Sequence, residues 1–117
     1  MASSLLRLGA ALAVSVGLLS TAPCVCASNV VGAHVVQVVA DYGGFFVYLD
    51  QPVNGSSCGQ TSTTRRYVID ETTAVGKMQI ATILSAQARG ASISVTGMGS
   101  CPLWPDTESV QYVVVAS

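Results

Sequence analysis

Charge is what this sequence most lacks. Of its 117 residues only 9% are Asp, Glu, Lys or Arg, five basic against six acidic, for a net charge of −1. With no basic excess to neutralise phosphates, electrostatically driven nucleic-acid binding is excluded. Histidine occurs once, at His34, and cysteine four times. One imidazole with distant thiols makes no tetrahedral metal site unless carboxylates join it. No repeat and no low-complexity linker divides the chain. Half of the residues are hydrophobic, too many for intrinsic disorder, and the length suits one domain.

The shortage of charge is uneven. Before Asp41 the only charged side chain is Arg7. Met1–Arg7 forms a short positive segment, and Leu8–Leu19 (LGAALAVSVGLL) is an unbroken apolar run of 12 residues. That run is shorter than the ~20 residues a bilayer span needs, but it suits the core of a cleaved leader. Pro23 breaks the run, and Val25-Cys26-Ala27 presents small residues where a leader peptidase reads them. Residues 1–27 are therefore expected to be a signal peptide cut after Ala27, with Ala22 and Ser28 as alternative positions. A buried N-terminal helix is the other reading. The expected location is secreted or periplasmic, with residues 28–117 as a single domain.

Cys24 and Cys26 would leave with the leader, and Cys58 and Cys101 would remain. An even pair in an oxidising compartment is expected to form a disulfide. A small domain gains from such a staple, by about 4 kcal/mol for a long loop on the chain-entropy account.

The mature segment alternates strand and turn signals. Val35–Ala40 (VVQVVA) and Phe45–Leu49 (FFVYL) are β-branched or aromatic runs. Asp41-Tyr42-Gly43-Gly44 between them is turn chemistry, so the two form a hairpin. Asp50–Thr64 is a polar loop, and Arg66–Ile69 a short strand. Asp70–Thr73 offers N-caps for a helix over Thr73–Arg89, with Gly90 ending it. Ile80, Leu84 and Ala88 mark its expected apolar face, and Gly76 is expected to weaken its first turn by about 1 kcal/mol relative to Ala. Ser92–Thr96 alternates strictly, and Val110–Val115 closes the series. The fold expected is mainly β with one helix: an OB-fold, a five-stranded Greek-key barrel in the order β-β-β-α-β-β, with one disulfide. An α+β sheet with one packed helix uses the same elements.

The carboxylates scatter, and His34 has no neighbouring Ser or Cys that it must activate, so no enzyme and no cofactor is expected. Binding is better served. Trp104 lies in Cys101-Pro102-Leu103-Trp104-Pro105-Asp106, where a disulfide and two prolines restrict it. A rigid indole suits stacking on the C–H face of a sugar or on a partner side chain; covering the disulfide and plugging the barrel end is the alternative. In an OB-fold the first hairpin and the loop between the fourth and fifth strands flank the usual ligand face. Asp41 and Tyr42 would then bracket one cleft with Trp104 and Asp106. Arg66, beside Arg65, offers a cation for an acidic group such as sialic acid, or is a solvated strand end. Asp106 and Glu108 offer carboxylates to sugar hydroxyls, or are solvated loop charges. Val35–Val39 and Val113–Val115 present apolar residues on both faces, so pairing of copies into a homo-oligomer is expected; a monomer whose loops cover those edges is the alternative.

Cys58, Arg66-Tyr67-Val68-Ile69, the helix ending Ser85-Ala86-Gln87-Ala88-Arg89-Gly90, Ile93-Ser94-Val95 and Cys101 together carry a resemblance. The chain from Gly32 to Val115 resembles the B subunits of subtilase-cytotoxin and pertussis-like bacterial toxins, and small secreted bacterial proteins of the same pattern. The resemblance implies an OB-fold, a Cys58–Cys101 disulfide, Ile80 and Leu84 as the helix face on the barrel, and a ring of five copies that binds cell-surface glycans. The implied partners are a glycan or another protein, further copies of the chain, and an A subunit. A membrane span and nucleic acid are not expected. Toxicity is not implied.

Overall fold

The computed structural model describes residues 17, 27–54, 58 and 64–116. Apart from Gly17 and Ala27, the expected leader lies outside the described residues. The element order is β1 (Asn29–Ala33), β2 (Val35–Asp41), β3 (Gly44–Leu49), β4 (Arg66–Ile69), α1 (Ala74–Arg89), β5 (Ile93–Gly97) and β6 (Val110–Val115). These strands form two antiparallel sheets, ordered β1-β5-β6 and β2-β3-β4. The chain is mainly β with one helix, as expected.

One strand was not expected. β1 runs directly into β2 across His34, so the two act as one bent ribbon that serves both sheets. The bend has a local cause. Gly32 takes φ 66°, and the β1–β5 register shifts between Val30 and Ala33. A glycine at positive φ beside an extra residue is bulge chemistry, which turns a strand and increases its twist. At the corner the His34 N–H donates to Asp50 Oδ1 at 2.8 Å, and the Asp50 N–H donates to the His34 carbonyl at 3.0 Å. On the far side, the Val68 N–H donates to the Glu108 carbonyl at 3.1 Å, and Val68 forms a parallel bridge with Ser109. Pairing therefore runs from β4 through β3 and β2, around the bend to β1, β5 and β6, and returns to β4.

Phe45, Val47 and Leu49 of β3, Tyr67 and Ile69 of β4, and Ile93 and Val95 of β5 share the interior. Each fully buried aliphatic or Phe side chain contributes about 1.5–3 kcal/mol. Helix α1 adds Ile83 and Ala86, with Ile80 half-buried against them. This corrects the expected face: Leu84 is 42% exposed and Ala88 is also exposed. Ile83 and Leu84 are about 100° apart around a helix, so one contact line takes only one of them. The line that wins passes through Gly76 and Ala86, whose small size allows close approach.

The helix ends follow capping rules. The Thr73 hydroxyl accepts from the Gly76 N–H at 2.9 Å, and Asp70 Oδ1 accepts from the Thr72 N–H at 2.9 Å. Gly90 takes φ 64°, and the Ala91 N–H returns to the Ala86 carbonyl at 2.9 Å. Cys58 and Cys101 lie at disulfide distance, their Cα atoms 6.0 Å apart across a sequence separation of 43.

Candidate functional site

Strand β3 is apolar on both faces. Phe45, Val47 and Leu49 face the core, so Phe46 and Tyr48 face outward, yet Phe46 is only 4% exposed. The loop before β6 covers it. The Trp104 indole stands at 90° to the Phe46 ring, with centroids 5.1 Å apart. The indole also lies against the β2–β3 turn: a Cβ on Gly43 would sit 2.7 Å from Trp104 Cζ3. The cover is held by a tight reversal over Pro105-Asp106, in which the Thr107 N–H donates to the Trp104 carbonyl at 3.2 Å.

Arg66, paired across the strands with Tyr48, completes the cluster. Its guanidinium carbon lies 5.4 Å from the Phe46 centroid and 5.9 Å from that of Tyr48. Nε donates to Thr107 Oγ1 at 2.9 Å, Nη1 to the Tyr48 hydroxyl at 3.1 Å and Nη2 to Asp106 Oδ1 at 2.8 Å. Thr107 Oγ1 donates in turn to Asp106 Oδ1 at 2.9 Å. The Thr107 hydroxyl first, and Arg66 after it, hold the Asp106 carboxyl below its ordinary range. All three edges of the Arg66 fork are engaged, so it fixes the loop that carries Trp104 and Asp106. The Asp106 side chain remains 65% exposed.

The structure thus brings together Arg66, Trp104 and Asp106. Asp41 and Tyr42 sit at the exposed turn whose Gly43 touches the indole, and Asp41 Oδ1 accepts from the Tyr42 N–H at 2.7 Å. Tyr42 is fully exposed. The first hairpin and the β5–β6 loop meet where the indole lies against Gly43. Glu108 does not belong with them: it is 0% exposed, which corrects its reading as a solvated or sugar-binding loop carboxylate. Sequence reasoning missed Phe46, Tyr48 and Thr107. The signal was present in Phe45-Phe46-Val47-Tyr48, because a strand apolar on both faces needs cover on both.

Three other places carry polar groups or open space. His34 is exposed, with Nδ1 3.3 Å from Asp50 Oδ2, and the His34 backbone N–H holds the Asp50 carboxyl below its ordinary value. Gly55-Ser56-Ser57-Cys58-Gly59 has the spacing of a nucleophile elbow, which sequence reasoning also missed. The described elements on either side of it in the chain are β3 and β4, and Gly55, Ser56, Ser57 and Gly59 lie outside the described residues. A groove of about 450 Å³ opens between the start of α1 and the β5–β6 loop, lined by Val75, Gln79, Met98 and Leu103, among others. Among the described residues, no group of three or more His, Cys, Asp or Glu could hold a metal ion, and no helix is long and apolar enough to cross a membrane.

Comparison with protein-family models, with curated proteins and with solved structures gave no match. The functional reading therefore rests on the site itself.

Proposed function

We propose that this chain is exported, loses residues 1–27, and serves as a secreted or periplasmic, non-catalytic binding module that holds a neutral saccharide. The observation that carries this reading is the Trp104 indole, fixed edge-on against Phe46 beside the fully exposed Tyr42. Rigid aromatic surface next to carboxylates is the chemistry that recognises a sugar: C–H faces stack on rings, and hydroxyls donate to Asp41 and Asp106. A neutral ligand fits better than an acidic one, because the Arg66 charge is already paired with the Asp106 carboxylate and each of its three nitrogens already donates a hydrogen bond, to Thr107, Tyr48 and Asp106.

In this reading the domain is a Greek-key barrel of the OB type. The bent β1–β2 ribbon counts as its first strand and the Val68–Ser109 bridge as its closing contact. The resemblance to toxin B subunits belongs to the same proposal, with copies of the chain in a ring, five in the resembled toxins, and an A subunit as a further partner. Support for self-association comes from the outer face of β1-β5-β6, where Val31 is 70%, Tyr112 52% and Val114 53% exposed.

The test is a glycan array probed with the processed protein, alongside sedimentation. Binding to a neutral oligosaccharide that is lost in Tyr42→Ala and Asp106→Asn supports the reading. A folded protein that binds no sugar sinks it. The same exposed face favours a second reading, a module that binds another protein. A stable monomer at micromolar concentration that captures a protein partner, and loses it in Val31→Lys or Val114→Lys, would favour that one instead.

A further inference from the structure

Among the described residues, a cluster of buried polar groups lies at the beginning of β1, around Ser28 and Glu108. Ser28 and Glu108 are each 0% exposed, whereas Ala27 is exposed. The chain therefore enters the interior at Ser28. Its register is already fixed there: the Gly97 N–H donates to the Ser28 carbonyl at 2.8 Å, and the Asn29 N–H donates to the Asn54 carbonyl at 2.9 Å.

The Ser28 backbone nitrogen lies 3.3 Å from each of the two carboxylate oxygens of Glu108. The Ser28 hydroxyl bonds Glu108 Oε2 and also lies 2.9 Å from the Tyr67 hydroxyl. The Gly99 N–H donates to Glu108 Oε1 at 2.7 Å. Gly97 completes the pocket, since a Cβ there would collide with the carboxylate. A peptide nitrogen has one proton to share between two oxygens that it addresses equally. An ammonium has three protons and a positive charge, and charge-assisted bonds contract to about 2.8 Å. An ionised carboxylate out of water is costly, and a cation held against it offsets that cost.

We propose that cleavage of the Ala27–Ser28 bond creates an α-ammonium group that locks onto the buried Glu108 carboxylate, so that the mature domain is completed by its own new N-terminus. This rests on the reading of residues 1–27 as a removed leader. Two independent observations meet at one bond: the small residues of Val25-Cys26-Ala27 ahead of it, and the carboxylate straddling the nitrogen behind it. In the hydrolysis, the C–N bond breaks. Water gives its hydroxyl to the Ala27 carbonyl carbon and a hydrogen to the Ser28 nitrogen. The new acid ionises, and the new amine takes up a proton. Before cleavage the pocket holds an amide; after it, an ion pair.

The pairing has a pH signature. An α-amino group has a pKa near 8 in an unfolded chain, and a carboxylate partner raises it in the folded one. The stabilisation is therefore full below about pH 7 and is lost as pH rises through the raised folded value. The groups facing Glu108 include the Ser28 nitrogen and hydroxyl, the Gly99 N–H, and, through the Ser28 hydroxyl, the Tyr67 phenol of β4.

The experiment exports the full chain with its own leader, and in parallel the same chain with one glycine inserted between Ala27 and Ser28. That insertion moves the new terminus by about 3.8 Å, one Cα step. Mass spectrometry reads each mature N-terminus, and chemical denaturation reads stability from pH 6 to 10. Natural processing is expected to begin at Ser28. The inserted form is expected to unfold with an equilibrium constant at least about tenfold larger at pH 6.5, with the gap closing toward pH 10. In a Glu108→Gln background the gap should vanish. If that variant does not fold, the pH dependence of the gap decides alone. Equal stability of the two chains across this range overturns the proposal even if export is normal. A mature terminus other than Ser28 overturns the assignment of the bond. Failure of export overturns the leader reading, a result distinct from the other two.

Discussion

The Trp104 ring meets Phe46 edge-to-face at 5.1 Å, on the outer side of a strand whose inner side is core. The indole covers Phe46, and in the proposed function it is also the aromatic surface offered to a ligand. Trp104→Ala should therefore do two separable things. It should cost about 1–2 kcal/mol of stability, an edge-to-face pair plus some exposed area, without preventing folding. It should also abolish saccharide binding. Trp104→Phe should recover much of the stability and part of the binding. Calorimetric titration with a neutral oligosaccharide, read beside denaturation midpoints, separates the two roles.

At Gly76 the packing reverses what helix propensity alone expects. Propensity favours alanine by about 1 kcal/mol. Yet Gly76 is buried, and a Cβ there would overlap the Asp70 carbonyl and lie 2.8 Å from the Thr73 hydroxyl oxygen. Gly76→Ala should thus destabilise by about 1–3 kcal/mol, as overpacking does. Thr73→Ala, which removes the cap on the Gly76 N–H, should cost about 1 kcal/mol. A Gly76→Ala protein more stable than the parent would show that the helix start can shift away from Asp70.

Local chemistry in the sequence was enough to place the β2–β3 hairpin, β4, the helix and its Gly90 end, β5 and β6. It was not enough for β1, because Asn29–Ala33 contains a glycine in mid-strand and gains its pairing from β5, far along the chain. The helix face failed for a similar reason. Ile83 and Leu84 are equally apolar neighbours, and only the packing of the helix on the core, which takes Ile83 with Ala86, chooses between them. At the candidate site, Trp104, Arg66 and Asp106 were legible as unusual residues. Their joint engagement through Thr107 and Tyr48 depends on tertiary contacts that no spacing in the chain encodes. Glu108 was misjudged because a charge beside loop residues reads as solvated, whereas Ser28, the Gly99 N–H and the bare Gly97 make a pocket for it.

Cys58 and Cys101 tie the segment before β4 to the loop that carries Trp104. With a sequence separation of 43, closing that loop is worth about 4 kcal/mol on the chain-entropy account. The Cys58→Ser, Cys101→Ser double variant should lose stability of that order, read from denaturant midpoints under oxidising conditions. Treating the parent with reductant should reproduce the loss, and the double variant should not respond to reductant. Loss of saccharide binding at temperatures where the variant is still folded would show that the staple also holds the Trp104 loop in place.

Tyr67 links the interior to pH. It is fully buried, with its hydroxyl 2.9 Å from the Ser28 hydroxyl, and burial pushes its phenol up to about 12, helped by the nearby Glu108 charge. In the unfolded chain a tyrosine ionises near pH 10. Between those values the unfolded state releases a proton that the folded state keeps. The stabilisation from the neutral phenol is therefore complete below about pH 10 and is lost as pH rises toward 12. Absorbance titration of the folded protein should show one of its four tyrosines ionising only together with unfolding. In Tyr67→Phe that coupled component should disappear. Stability near neutral pH should fall by about 1 kcal/mol for the lost hydrogen bond, and the alkaline fall should become shallower. A Tyr67→Phe protein with the same alkaline slope as the parent would place the titrating group elsewhere.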